Sequence, residues 1–197
     1  LSSSLIEVAN MAGQLIGSET RLASLDDNKN LASTLKEAWD IQRRATLRDG
    51  SFNFSTTRGA IPAGVDASVS TYPYASFFPL PAPALRLIEL LDPIARLDYQ
   101  LEGRNILANV SGPLYARWII DVPEPANWDD AFAEAFACRL AWKCGRKLAG
   151  SAFDVLEAEK AYQMSNNSAA HVDAIENPPM EQEESDWVLA RLGFGAG

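Results

Sequence analysis

Seven prolines, at positions 62, 73, 79, 81, 83, 93 and 113, divide the middle of this chain. Proline has no N–H to donate and its ring clashes with the preceding turn, so no long helix can cross that stretch. Short extended runs joined by turns remain available to it. Apolar alternation and β-rich composition predict strands at Phe52–Phe54, Arg58–Ile61, Leu85–Leu91, Leu97–Leu101, Asn105–Ala108 and Leu114–Ile120. Leu101-Glu102-Gly103-Arg104-Asn105 predicts a hairpin that turns at Glu102-Gly103 or Gly103-Arg104. Gly64–Ser76 reads as an exposed loop.

The flanks follow a helical period instead. Ser4 and Glu7 have capping-box spacing, Leu5, Val8, Ala9, Ala12 and Ile16 share a face, and Gly17 is placed to stop a first helix. Asp26 and Asp27 are expected to cap a second helix running to about Leu47, with Leu31, Leu35, Ala38, Trp39, Gln42 and Ala45 inward. Asn127 or Asp129 opens a third helix, to about Leu148. Its buried side is expected to carry Trp128, Phe132, Ala135, Phe136, Arg139, Leu140 and Trp142. After Gly150, Ser151 and Asp154 are expected to cap a fourth helix to about Ala170, carrying Phe153, Leu156, Ala158 and Tyr162. So short a connection predicts that helices three and four pack antiparallel.

These elements define an α+β fold: an antiparallel helical bundle with a β-rich insertion and an extended C-terminal tail. Residues 1–50 and 122–170 form the bundle, 51–121 the insertion and 171–197 the acidic tail. At 197 residues the chain can bury a substantial core, roughly 70% of its unfolded surface. The tail cannot build one. It holds Pro178-Pro179, the acids Glu181, Glu183, Glu184 and Asp186, and then an apolar tip. Trp187, Leu189, Leu192 and Phe194 in that tip are the candidate partner-binding residues, because an apolar segment behind an acidic linker orders by lying on another surface.

Chemistry is harder to find. The net charge of −9 argues against a surface that grips nucleic acid, which needs clustered Lys and Arg. It suits a wall that DNA slides past, since carboxylates repel phosphate. Arg43, Arg44, Arg48 and Arg58 read as a solvated helix end paired to acids, rather than a nucleic-acid patch. Cys138 and Cys144 lie six apart on one helix, too far for a bridge, and read as free buried thiols. With His171 the only histidine, no metal site and no Ser-His-Asp arrangement is expected; GxSxG, GxxxxGK[ST] and GxGxxG patterns are absent too. The acid pairs Asp26-Asp27 and Asp129-Asp130 suit helix starts, and Glu183-Glu184 belongs to the tail. No cofactor is expected. No apolar run approaches the ~20 residues of a membrane helix, and Leu1–Asn10 lacks the basic and apolar regions of a secretory signal.

Seven stretches in fixed order resemble the tail tubular protein A family, the head-to-tail adaptors of short-tailed bacteriophages. They are Leu15-Ile16-Gly17-Ser18-Glu19 with Leu22-Ala23-Ser24-Leu25-Asp26-Asp27-Asn28; Trp39-Asp40-Ile41-Gln42-Arg43-Arg44-Ala45-Thr46-Leu47-Arg48; and Ser51-Phe52-Asn53-Phe54-Ser55-Thr56-Thr57-Arg58. Then come Tyr74-Ala75-Ser76-Phe77-Phe78-Pro79-Leu80-Pro81 with Leu85-Arg86; Tyr99-Gln100-Leu101-Glu102-Gly103-Arg104-Asn105-Ile106-Leu107; Gly112-Pro113-Leu114-Tyr115-Ala116-Arg117-Trp118; and Trp128-Asp129-Asp130-Ala131-Phe132-Ala133-Glu134-Ala135. Phe52 stands where the family commonly has Trp, and the tail past Ala170 is not diagnostic. The resemblance implies a structural subunit rather than an enzyme. It implies a ring, dodecameric in the family, held in the virion between the portal protein and the tail nozzle, with genomic DNA passing through the channel. The rival expectations are a nucleic-acid-binding module and a small hydrolase.

Overall fold

A computed structural model describes residues 4–66, 68–92, 96 and 98–176. The fold is α+β. Four helices, α1 (Leu5–Ile16), α2 (Asn30–Asp49), α3 (Asp130–Ala149) and α4 (Val155–Glu176), flank six strands. The strands are β1 (Thr56–Ile61), β2 (Ser76–Pro79), β3 (Ala84–Leu90), β4 (Tyr99–Glu102), β5 (Asn105–Ala108) and β6 (Leu114–Ile120). They make two antiparallel sheets, ordered β1-β6-β3 and β2-β5-β4.

The alternation of β6 explains how the layers stack. Leu114, Ala116 and Trp118 turn to one side and join Ile61, Phe78, Leu90 and Ile106 in a core shared by the two sheets. Ile119 points the other way and enters the helical core, where Leu85 and Ile88 of β3 also pack. The first sheet is therefore the middle layer, with the helices on one face and the second sheet on the other. The helical core is aromatic at its centre. Phe132 meets Phe52, Phe54 and Trp128 with ring centroids 4.9, 5.1 and 5.1 Å away. Trp39 lies edge-on to Phe136 at 5.0 Å.

Helix α3 carries the other three helices. Its buried side pairs the large Phe132, Phe136 and Leu140 with a row of small residues, Ala133, Ala137, Ala141 and Gly145. The α1 start has the expected capping box, and Gly17 ends it at φ 83°, a left-handed conformation that suits glycine. Asn10 then holds the following loop, giving and taking hydrogen bonds at the main chain of Leu22.

Several expectations need correction. Asp26 and Asp27 do not cap α2. The capping residue is Lys29, without a side-chain bond. Asp27 instead accepts from the Ala23 N–H at 3.0 Å, and Asp26 pairs with Lys36. Phe52–Phe54 is not a strand. Asn53–Ser55 forms a 3-10 turn, because the Phe52 carbonyl accepts from the Ser55 N–H and from the Ser55 and Thr56 hydroxyls. Strand β2 lies in a proline-rich stretch that gave no strand signal. It survives because Pro79 sits at its last position. The cap of α4 is Asp154 alone, accepting from the N–H groups of Leu156 and Glu157, while Ser151 lies in a separate turn. Helix α4 also continues past Ala170 to Glu176, so His171 is helical rather than the start of a tail. Leu156, expected inward, is 70% exposed.

Candidate interaction surfaces

The candidate residues Trp187, Leu189, Leu192 and Phe194 lie outside the described residues. Within them, three features stand out.

The first is a polar stack on the α3–α4 face. Lys143 Nζ lies 3.3 Å from the centre of the Trp142 ring. Trp142 stacks on Tyr162 at 5.7 Å, and the Arg139 guanidinium lies 5.0 Å from the centre of the Tyr162 ring. The spacing fits the helices: Arg139, Trp142 and Lys143 occupy adjacent turns of α3, and Tyr162 faces them from α4. Trp142, expected in the core, is thus only half-buried, a wall between two cations. The Tyr162 hydroxyl donates to Asp49 at 2.7 Å and accepts from Arg139 at 2.7 Å. Arg139 also donates to Asp49 and, through Nε, to Gln42. This network ties α2, α3 and α4 together.

Burial, and then donation to Asp49, pushes the Tyr162 hydroxyl well above the usual tyrosine range. The native state therefore holds this proton where the unfolded chain loses it. The resulting stability is present below about pH 10 and declines as the pH rises beyond that. Urea melts between pH 8 and 11 should show stability falling above pH 10, with Tyr162→Phe less stable at pH 8 and flatter across the series. An unchanged slope in Tyr162→Phe would rule out this origin.

The second feature is a groove of about 400 Å³. Helices α1 and α4 both pack on α3 and barely touch each other. Between them, Cys138 and Ala141 form a floor, Leu15 and Ile16 one wall, and Phe153 and Ala158 the other. Leu15 is 48% exposed at its lip. Cys138 and Cys144 are free and buried, as expected, and burial raises both thiols above their ordinary value, which makes them poor nucleophiles.

The third is the outer side of the sheets. All four residues of β4, an edge strand, are exposed. Arg58 stands opposite Arg117, which stands opposite Glu89 and bonds it at 2.8 Å. That row holds two cations and one anion. Arg58, exposed at the edge of its sheet, has no ion pair among the described residues.

The four arginines do not form one patch. Arg43, expected at a solvated helix end, is buried: its guanidinium grips Asp121 through two 2.9 Å bonds and also reaches Asp40. Arg48 donates to the Leu85 carbonyl, Arg44 is exposed, and Arg58 lies on β1. Asp129 caps α3 as expected, accepting from the Ala131 N–H at 2.8 Å. Among the described residues, no group of three or more His, Cys, Asp or Glu stands close enough to hold a metal, and no helix is long and apolar enough to cross a membrane.

The sequence reading missed the groove and the stack. The groove had no signal, since it exists only because two helices pack side by side on a third with little contact between them. The stack had a faint one, Trp142-Lys143 three residues after Arg139. No protein-family model matches the chain, and no curated protein matches it significantly.

Proposed function

We propose that this chain is a structural subunit of a short-tailed phage particle, a head-to-tail adaptor that works as a ring rather than as an enzyme. The observation that carries this reading is the ordered set of seven sequence stretches, which runs from α1 through all six strands into α3. These stretches include the central core residues Trp39, Trp128 and Phe132, so they cover buried positions as well as surface ones.

An adaptor needs a contact that repeats by rotation and two faces for two partners. The helical layer would form the ring body. The sheets, with the exposed edge of β4, would make neighbour and nozzle-side contacts. The apolar tip at Trp187, Leu189, Leu192 and Phe194 would order on the portal or on an adjacent subunit. Genomic DNA would pass through the channel without specific binding, as the charge of −9 favours. The site of action would be the neck of the virion, after assembly in the host cytoplasm.

Negative-stain microscopy of the full chain, alone and mixed with portal-bearing heads, tests the proposal. Rings or portal-bound collars are the expected result. A chain lacking residues 180–197 should stay folded by circular dichroism and fail to attach. A full chain that stays monomeric and never binds the heads, or one that turns over a small molecule, would overturn the reading.

A further inference from the structure

We infer that the groove between α1 and α4 receives the segment Trp187–Phe194 of an adjacent copy. This goes beyond the adaptor reading by naming where the tip docks, and it rests on that reading for the presence of neighbouring copies. Three observations lead to it.

The groove is apolar and ready-made. Its floor is low because α3 offers Cys138 and Ala141 there, and its walls are Leu15, Ile16, Phe153 and Ala158. A volume of about 400 Å³ accommodates a few large side chains rather than a whole domain. The segment 187–194 supplies apolar side chains in that number, Trp187, Leu189, Leu192 and Phe194. This is the short-anchor mode of peptide recognition, in which pocketed apolar residues do the binding.

Charge sets the orientation. Glu157 stands exposed at the rim, and no ion pair engages it among the described residues. The segment following Glu176 contains one base, Arg191, in the middle of the apolar tip. Arg191 lies between Leu189 and Leu192 in the sequence, so it is the base that would meet Glu157 when those leucines enter the groove. The acids Glu181, Glu183, Glu184 and Asp186 precede the tip and stay clear of that acidic rim.

The tail's point of exit favours a neighbour's groove over the chain's own. The groove lies at the start of α4, beside Ala158, whereas the tail leaves from its other end, at Glu176. Those 18 residues of helix span about 27 Å. The 11 residues from Glu176 to Trp187 extend to at most about 40 Å, so length alone permits either groove and direction decides. Returning to its own groove, the tail would have to reverse direction through Pro178-Pro179 and run back along the length of α4. Passing to the next copy would give each groove one tail, a heterologous contact that repeats around a ring.

Cysteine cross-linking in the full chain tests this. Leu15→Cys and Leu192→Cys are combined in a Cys138→Ala background, with each single variant as control, and oxidised mildly. Leu15 is 48% exposed at the groove's lip, so a cysteine there spares the core, and Leu192→Cys trades one of the four anchors for the reporting thiol and leaves Trp187, Leu189 and Phe194 to dock. The expected result is a ladder of covalent dimers and larger species on a non-reducing gel, seen only in the double variant. Glu157→Arg should lower the ladder yield about fivefold, and adding Arg191→Glu should restore it. No ladder, or only a faster-moving monomer from a cross-link within one chain, would overturn the inference. Negative-stain images of the same samples separate the two claims. Rings without a ladder sink the groove assignment and leave the adaptor reading standing. A ladder without rings or attachment to heads does the reverse.

Discussion

Phe132→Ala should lower the free energy of unfolding by about 4 kcal/mol, among the largest losses available to a single substitution in this chain. Phe132 is fully buried, and its ring touches two parts of the chain far apart in sequence: Phe52 and Phe54 from the turn that enters the sheets, Trp128 and Phe136 from its own region. Truncation removes the transfer free energy of the ring and leaves a hole whose walls are themselves large, edge-to-face aromatics. Such walls cannot collapse inward without giving up their own contacts, so most of the cavity term persists. A urea melt reads the loss as a shift in midpoint at unchanged slope. Leu156→Ala, at a 70% exposed position, is the control and should stay within about 0.5 kcal/mol of the parent. A Phe132→Ala loss below about 1.5 kcal/mol would mean that the aromatic centre is looser than its ring geometry indicates.

What the sequence disclosed follows the range of the forces involved. Strands β5 and β6 were legible to the residue, because alternation such as Leu114, Ala116 and Trp118 against Tyr115 and Arg117 is a local record of two environments. The start of α1 was legible because the Ser4–Glu7 cap acts across three residues. Asp27 misled for the same reason in reverse: a residue that often caps helices was taken up by its own loop, at Ala23. Strand β2 was hidden by its prolines, though a terminal Pro79 costs a strand nothing it needs. The surfaces were least legible. The groove depends on α1 and α4 packing on α3 far more than on each other, and no local pattern encodes so sparse a contact. Arg43 belongs with these, since the acid that draws it inward is 78 residues away.

Asp121→Ala should accordingly destabilise the chain by about 3 kcal/mol, more than Arg43→Met does. The pair is unequal. The Arg43 side chain is 6% exposed and that of Asp121 20%, so water can reach the carboxylate more readily than the guanidinium. Removing Asp121 takes away a two-pronged partner at 2.9 Å and leaves a charged group buried between α2 and the end of β6, with only Asp40 beside it. Asp40 is 68% exposed and engages a single nitrogen, too little to replace what is lost. Arg43→Met instead leaves Asp121 to recover water, and the methionine keeps most of the apolar stem packed. The double variant should therefore be more stable than Asp121→Ala alone, a non-additivity that appears only when the cost comes from a stranded charge. Urea midpoints for the two single variants and the double variant decide it. If Asp121→Ala proves the milder single change, or the two losses simply add, then the link between α2 and the sheet is an ordinary surface ion pair and the packing of Leu85, Ile88 and Ile119 against the helices holds the layers together without it.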